Sequence, residues 1–351
     1  MHDLKHFKEI FDPILNSLVN KKIEDFQENT KDPFIKDFVL YSKNLITGGG
    51  KRIRPYITYL SYKSFGGKNE EEIMNILISL ELFHNFCLIH DDVMDKGKTR
   101  HGQKTIHNFV LEKLLKDKRI GDLEHIANSE AILIGDVIYS WVTELFFENK
   151  NLKNLDMAKQ YFYKMIDEVI MGQIIDIDLV GRENPSLDLI EEKTRLKTSR
   201  YSFVRPMQIG AIFANPNYGQ DDLLEALGTH LGIAFQIQDD LLDIIGNPKD
   251  IQKTPLLDIS QHQHTFFTNY VFNKGTKDQI SKLAEIFGKN VKDKEEKIRN
   301  VFLESGAIDQ GKKIIKKNFD EAKKLVENSQ LELQYKQGFI TLIKLIEDRL
   351  N

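Results

Sequence analysis

The sequence predicts an all-α protein built as one domain over residues 1–351. Three observations carry that prediction. Apolar residues recur at helical spacing over long stretches. Only 8 Pro and 21 Gly in 351 residues interrupt them. Alternating patterns that would read as strands are short and isolated. With 41% hydrophobic residues the chain can bury a large core. No linker and no repeat of 20–50 residues divides it.

The elements follow in order. Residues 5–28 are amphipathic. Residues 33–46 run into the break Gly48-Gly49-Gly50. A helix from about Pro55 to Phe65 stops at Gly66-Gly67, where glycine suits a C-cap. Residues 70–95 form a long apolar helix, and 96–105 a polar, basic loop. Stretches 126–149, 155–181, 187–201, 202–215 and 220–246 continue the helical pattern. Further amphipathic helices lie beyond 275, the last at Gln337–Leu350. The Lys-rich run Lys312-Lys313-Ile314-Ile315-Lys316-Lys317 alternates charge with apolar residues and reads as a solvated helix face.

Charge and cysteine usage exclude several classes. Net charge is −4 and pI about 6.2, so nothing global suggests nucleic acid. An anionic ligand must be held by a local cationic cluster. The single cysteine, Cys87, excludes an internal disulfide framework and fits a reducing, cytoplasmic setting. Its apolar neighbours suggest a small buried residue, not a nucleophile. The first residues lack the apolar core of a signal peptide, and no run of 18 apolar residues predicts a membrane span.

The most specific local signal is a repeated acidic box. Asp91-Asp92-Val93-Met94-Asp95 returns as Asp239-Asp240-Leu241-Leu242-Asp243. The first and last Asp of each box are four apart and share a helix face. Both boxes sit among apolar residues, where clustered carboxylates repel one another and resist desolvation. A divalent cation would relieve both penalties, and Mg²⁺ is commonly held by one or two carboxylates plus substrate phosphates. A third segment, Asp221-Asp222-Leu223-Leu224-Glu225, has similar spacing but follows Pro216-Asn217-Tyr218-Gly219. There the acids belong to the first turn of a new helix, where negative charge is favoured.

The cationic counterpart is Gly48-Gly49-Gly50-Lys51-Arg52-Ile53-Arg54-Pro55. Its glycines let backbone turn and approach a ligand. Arg suits forked contacts with phosphate, and Lys a point-charge contact. The order of a Walker loop is absent.

Gly-Gly-Lys-Arg-x-Arg-Pro and two Asp-Asp-x-x-Asp boxes, the second preceded by Phe-Gln-x-Gln, together resemble the trans-isoprenyl diphosphate synthases. The similarity runs from about residue 41 to 265. It includes Glu81-x-x-His84, Gly135-Asp136, Gly172-Gln173-x-x-Asp176 and Lys197-Thr198. The resemblance implies a helical bundle around a deep central cavity, with the boxes facing each other and holding three Mg²⁺ ions. Their ligands would be Asp91, Asp92, Asp95, Asp239, Asp240 and Asp243. It further implies that Arg100, Lys197 and Lys253 contact an allylic diphosphate. Lys51, Arg54, His84 and His101 would grip isopentenyl diphosphate, and Thr198 and Gln236 would lie beside a carbocation. A homodimer is implied as well.

The resemblance also makes Phe86 and Cys87, five and four residues before Asp91, the floor of the product pocket. One aromatic there, a small Cys87 and no insertion in the first box match the geranylgeranyl (C20) pattern, with farnesyl (C15) the next nearest. Two departures stand out. His101 replaces the second Arg of the usual Arg-Arg-Gly, which would weaken that contact or make it pH-dependent. No second lysine follows Lys253. A terpene cyclase or a non-catalytic partner subunit would be expected to lose acidic-box residues, and a cyclase also the Lys51–Arg54 grip. This chain keeps all of them.

Overall fold

The structure is a computed structural model that describes residues 3–100, 102–147, 152–246, 256–289 and 294–348. The described residues are helical throughout except for turns and one two-stranded ladder. The chain opens with α1 (Leu4–Gln27), α2 (Pro33–Thr47), α3 (Ile53–Ser64) and α4 (Glu70–Met94). Strands β1 (Thr99–Arg100) and β2 (Gln103–Lys104) form an antiparallel ladder, with Arg100 opposite Gln103. Then come α5 (Ile106–Lys116), α6 (Leu123–Phe147) and α7 (Leu155–Leu179). Helix α8 (Leu187–Thr194) leads through a π-helical stretch, π1 (Arg195–Val204), into α9 (Arg205–Ala214). Helix α10 (Asp221–Ile245) carries the second box. The chain closes with α11 (Leu257–Ser260), α12 (Phe266–Lys274), α13 (Lys277–Ile286), α14 (Glu295–Glu304), α15 (Ala307–Asn328) and α16 (Leu333–Glu347).

Two compact units share the chain. The first comprises residues 1–59 and 69–155, the second 60–68 and 156–351. In the first, α4 lies along α6, and α5 packs on α6. Asn69 caps α4 by accepting from the Glu72 amide, and Glu70, Glu71 and Glu72 complement its dipole. Much of α4 is core, including Ile73, Ile76, Leu77, Leu80 and Phe83. Its most apolar stretch is hydrophobic enough to span a bilayer, yet 67% of that stretch is buried in protein. It reads as a core helix.

In the second unit, α10 runs beside π1 and α15. Asp221 and Asp222 occupy the first turn of α10, as the third acidic segment predicts. Asp221 there accepts hydrogen bonds from Tyr161 and Gln208, and Tyr218 also binds it. Helix α15 turns Ile308, Ile315, Phe319, Ala322 and Val326 inward and leaves Lys312, Lys313, Lys316 and Lys317 exposed. The helix predicted to stop at Gly66 does so. Gly66 has φ 95°, and the Gly67 amide returns to Tyr62 O at 2.9 Å.

Candidate active site

The first box closes α4. Asp91 and Asp95 are half-buried and Asp92 is buried, with the Asp95 amide donating to Asp91 O at 2.8 Å. Arg100 projects from β1 and forks onto Asp92. Its Nε reaches both carboxylate oxygens at 2.9 and 3.0 Å, and its Nη2 reaches Oδ1 at 2.6 Å and Asp91 Oδ2 at 3.5 Å. The paired guanidinium offsets the cost of burying the carboxylate. Upstream, the His90 ring rests on Gly135 of α6. A Cβ at Gly135 would come within 2.4 Å of that ring, so only glycine permits the approach. His90 Nε2 donates to Ile132 O at 3.0 Å and fixes the end of α4 against α6.

One turn below the box lies an aromatic cluster. The Phe86 ring is 5.0 Å from Tyr139, 4.6 Å from His90 and 5.7 Å from Phe83. Cys87 is half-buried, less enclosed than its neighbours predict, because its side of α4 is only partly covered.

The cations of the Gly-rich segment separate by role. Arg52 takes a left-handed backbone, φ 56°, which sends its side chain inward to 3% exposure. Its Nη1 donates to Glu81 Oε1 at 2.5 Å and Ile46 O at 3.1 Å, and its Nε to Asp12 Oδ1 at 2.8 Å. Gly50 makes room, since a Cβ there would lie 2.9 Å from the same Nη1. Arg52 is thus a strut that binds α1, α2 and α4 around the segment. Lys51 is exposed and Arg54 half-buried, and His84 stands one turn beyond Glu81 on α4.

In the second unit, Lys197 and Thr198 sit on π1. An extra residue per turn distorts the helix, and glycines accept the distorted backbone. A Cβ at Gly172 would meet Lys197 N at 2.5 Å, and one at Gly232 would meet Ser199 Cα at 2.2 Å. Lys197 Nζ donates to Asp176 Oδ2 at 2.6 Å, and Lys193 Nζ pairs with Asp176 Oδ1 at 3.0 Å. Burial alone would raise the Asp176 pKa, but the two lysines outweigh it and hold the carboxyl at about 2.

Thr198 Oγ1 donates to Gln236 Oε1 at 2.6 Å, and Gln236 Nε2 donates to Asp240 Oδ1 at 2.8 Å. This chain joins the π-helical turn to the second box. Desolvation first, and then the negative charge of Asp258, raise the Asp240 pKa well above the carboxylate range. Asp243, in the last turn of α10, accepts from the amides of Leu257 at 3.0 Å and Asp258 at 3.3 Å. His101 and Lys253 lie outside the described residues.

Among the described residues no three carboxylate, imidazole or thiol groups converge as a complete metal site. The donor chemistry nevertheless fits Mg²⁺. The boxes offer hard carboxylate oxygens, and Mg²⁺ fills most of its shell with water and phosphate. The upward shift at Asp240 comes first from desolvation and then from the charge of Asp258, and a bound divalent cation would oppose both.

Sequence reasoning missed two participants, Lys193 and Tyr139. Lys193 and Lys197 are four apart on one helical run, a spacing that implies a shared partner. Asp176 is that partner. Tyr139 backs Phe86 from α6 and left no local signal.

The polyprenyl synthetase family model matches residues 37–304. A short chain isoprenyl diphosphate synthase of Methanocaldococcus jannaschii is 33% identical over 294 residues, 82% of this chain and 84% of that protein. A geranylgeranyl pyrophosphate synthase of Geoglobus acetivorans is 29% identical over 317 residues, 88% and 89% of the two chains. The crystal structure of a Corynebacterium glutamicum geranylgeranyl pyrophosphate synthase, complexed with isoprenyl diphosphate and magnesium, superposes with a TM-score of 0.89. It is 25% identical and covers 97% of this chain and 98% of its own. An all-α chain with two Asp-Asp-x-x-Asp boxes closing two long core helices, matched over this much of its length, belongs to the polyprenyl synthetase family.

Proposed function

We propose that the protein is a Mg²⁺-dependent trans-prenyltransferase acting as a single polyprenyl synthetase domain. It condenses isopentenyl diphosphate head-to-tail (1'-4) with an allylic diphosphate, giving all-trans geranylgeranyl diphosphate (C20). The observation that carries this reading is the hydrogen-bonded chain Thr198–Gln236–Asp240 beside the Lys197–Asp176 pair. It sets an oriented hydroxyl–amide pair against a box carboxylate, with the Lys197 ammonium, held by Asp176, on the residue before Thr198.

The chemistry needs those types. Breaking the allylic C–O bond leaves a diphosphate anion and a delocalised cation. When bound to the boxes, Mg²⁺, three ions by family resemblance, supplies charge stabilisation for the leaving diphosphate. Asp91, Asp92, Asp95, Asp239 and Asp240 are the residues that would hold it; Asp243, a ligand by resemblance, gives both carboxylate oxygens to backbone amides instead. Lys197, Arg100 and Lys253 add fixed positive charge to the same leaving group. The Thr198 and Gln236 oxygens turn dipoles toward the cation. Lys51, Arg54, His84 and His101 grip isopentenyl diphosphate, whose double bond attacks the cation. The departing diphosphate takes the proton, so no side-chain nucleophile is needed. Phe86, packed among the tilted rings of Phe83, His90 and Tyr139, floors the pocket beside Cys87.

A cytoplasmic homodimer is part of this reading. Helix α7 exposes Ile170, Met171, Ile174 and Ile177, an apolar stripe at helical spacing that a second copy would cover. The test is direct. Purified protein with Mg²⁺, isopentenyl diphosphate and farnesyl diphosphate should yield a C20 product by chromatography. Absence of any elongation product overturns the reading. Light scattering checks the dimer.

A further inference from the structure

Asp243 gives both carboxylate oxygens to backbone amides. Its Oδ1 accepts from Leu257 N at 3.0 Å, its Oδ2 from Asp258 N at 3.3 Å, and its backbone oxygen from Leu256 N at 3.0 Å. One residue takes three consecutive amides. These are the first amides of α11, a helix whose own N-cap residue, Leu256, provides no side-chain cap. Asp243 supplies that cap from the end of α10.

The geometry around it is constrained. Leu256 is fully buried and left-handed, φ 57°, a conformation a leucine keeps only when its surroundings impose it. Beyond α11 the strap continues to His264. Gly288 N donates to Ile259 O at 2.8 Å, and the His262 ring stands on Phe287 with centroids 4.1 Å apart. At its far end, Lys193 Nζ donates to His264 O at 2.9 Å. Lys193 also holds Asp176, the seat of Lys197. The strap Leu256–His264 therefore links the last carboxylate of the second box to the lysine pair on α8 and π1.

We propose that Asp243 is a positioning residue rather than a metal ligand. It fastens the strap to the end of α10, and through Lys193 and Asp176 the strap sets the position of Lys197. Two successive amides, one on each oxygen, fix the carboxylate plane. Turning it toward a cation would take the carboxylate away from both amides. The catalytic half of this inference rests on the prenyl-transfer reading above. The structural half does not.

Hydrogen exchange on the metal-free protein tests the structural half. Asp243→Ala should lower protection of the Leu257 and Asp258 amides at least tenfold. Asp243→Asn, which keeps one carbonyl acceptor and guards against a misfolded alanine variant, should lie between. In turnover, Asp243→Ala should raise KM for the allylic diphosphate several-fold and leave half-saturating Mg²⁺ within twofold of wild type. Unchanged amide protection overturns the proposal, and so does a tenfold rise in half-saturating Mg²⁺. A wild-type protein without prenyl transfer would sink the functional reading and leave the exchange result standing.

Discussion

At the end of α4, Asp92 is neutralised by the forked guanidinium of Arg100, which arrives from a two-residue strand. At the end of α10, neutral donors bond directly, and the Lys193 charge acts on Asp240 as well. Gln236 serves Asp240, and the amides of Leu257 and Asp258 serve Asp243. Two boxes with one spelling thus meet different surroundings. On the prenyl-transfer reading, a side-chain cation on a short ladder would be exchangeable, free to rotate toward an incoming phosphate. Backbone amides of a neighbouring helix are part of the scaffold. The first box would then trade partners, while the second is tied to its scaffold through Gln236 and the amides of Leu257 and Asp258.

The largest effect should come from the carboxylates that both boxes share in role. Asp91→Asn and Asp239→Asn should each lower kcat on the order of 10³-fold if each supports charge on the leaving diphosphate. Steady-state kinetics at saturating Mg²⁺ measures this. Asp239→Asn within tenfold of wild type would mean that the first box alone carries the metal chemistry.

Removing the exchangeable cation comes next. Arg100→Met leaves Asp92 buried without its guanidinium, a change that costs about 3 kcal/mol when a buried pair is broken. Thermal melting in a chelator should fall by several degrees, and added Mg²⁺ should restore most of it. Gln236→Leu, at the second box, removes a neutral donor and should cost about 1 kcal/mol with little rescue. Equal rescue of both variants by Mg²⁺ would erase the distinction between exchangeable and scaffold partners.

Acid exposes a third difference. Asp176 is held at about 2, below its unfolded value, so its stabilising pairs with Lys193 and Lys197 are complete above the unfolded pKa. They are lost as pH falls from about 4 toward 2, together worth about 2 kcal/mol. Asp176→Asn should remove that share of the acid sensitivity, seen as a flatter dependence of unfolding on pH between 4 and 2. An unchanged slope would show that the lysines are held by something else.

The long helices and both boxes were legible because apolar periodicity and clustered carboxylates are properties of adjacent residues. What connects distant residues was not. Lys51, Arg52 and Arg54 look equivalent in sequence, yet Arg52 turns inward to Asp12, forty residues away. Only its left-handed backbone decides this, and nothing in the spelling predicts such a backbone for arginine. The π-helical turn at Arg195–Val204 is equally silent, since one extra residue per turn leaves composition unchanged. Its trace is the pair Gly228 and Gly232 on α10, which admit Val204 and Ser199. Helix α5 carries Ile106, Val110 and Leu114 at four-residue spacing, a stripe hidden behind the basic loop before it.

The mildest and most specific test concerns the aromatics beneath each box. Phe86 lies five residues before Asp91, and Phe235 four before Asp239. Phe86 packs within a cluster of Phe83, His90 and Tyr139, whereas Phe235 meets Phe203 edge-on at 5.7 Å. Both are half-buried, so truncation of either should cost only about 1 kcal/mol. If Phe86 is the floor, Phe86→Ala should lengthen the main product by one isoprene unit or more. Phe235→Ala should leave its length unchanged. Tyr139→Ala, which removes only the support behind Phe86, should give a mixture of the normal and longer products. Product analysis by chromatography separates the three variants, and an unchanged chain length for Phe86→Ala would move the floor elsewhere. A longer product from Phe235→Ala would instead show that both boxes, not the first alone, carry a length gauge beneath them.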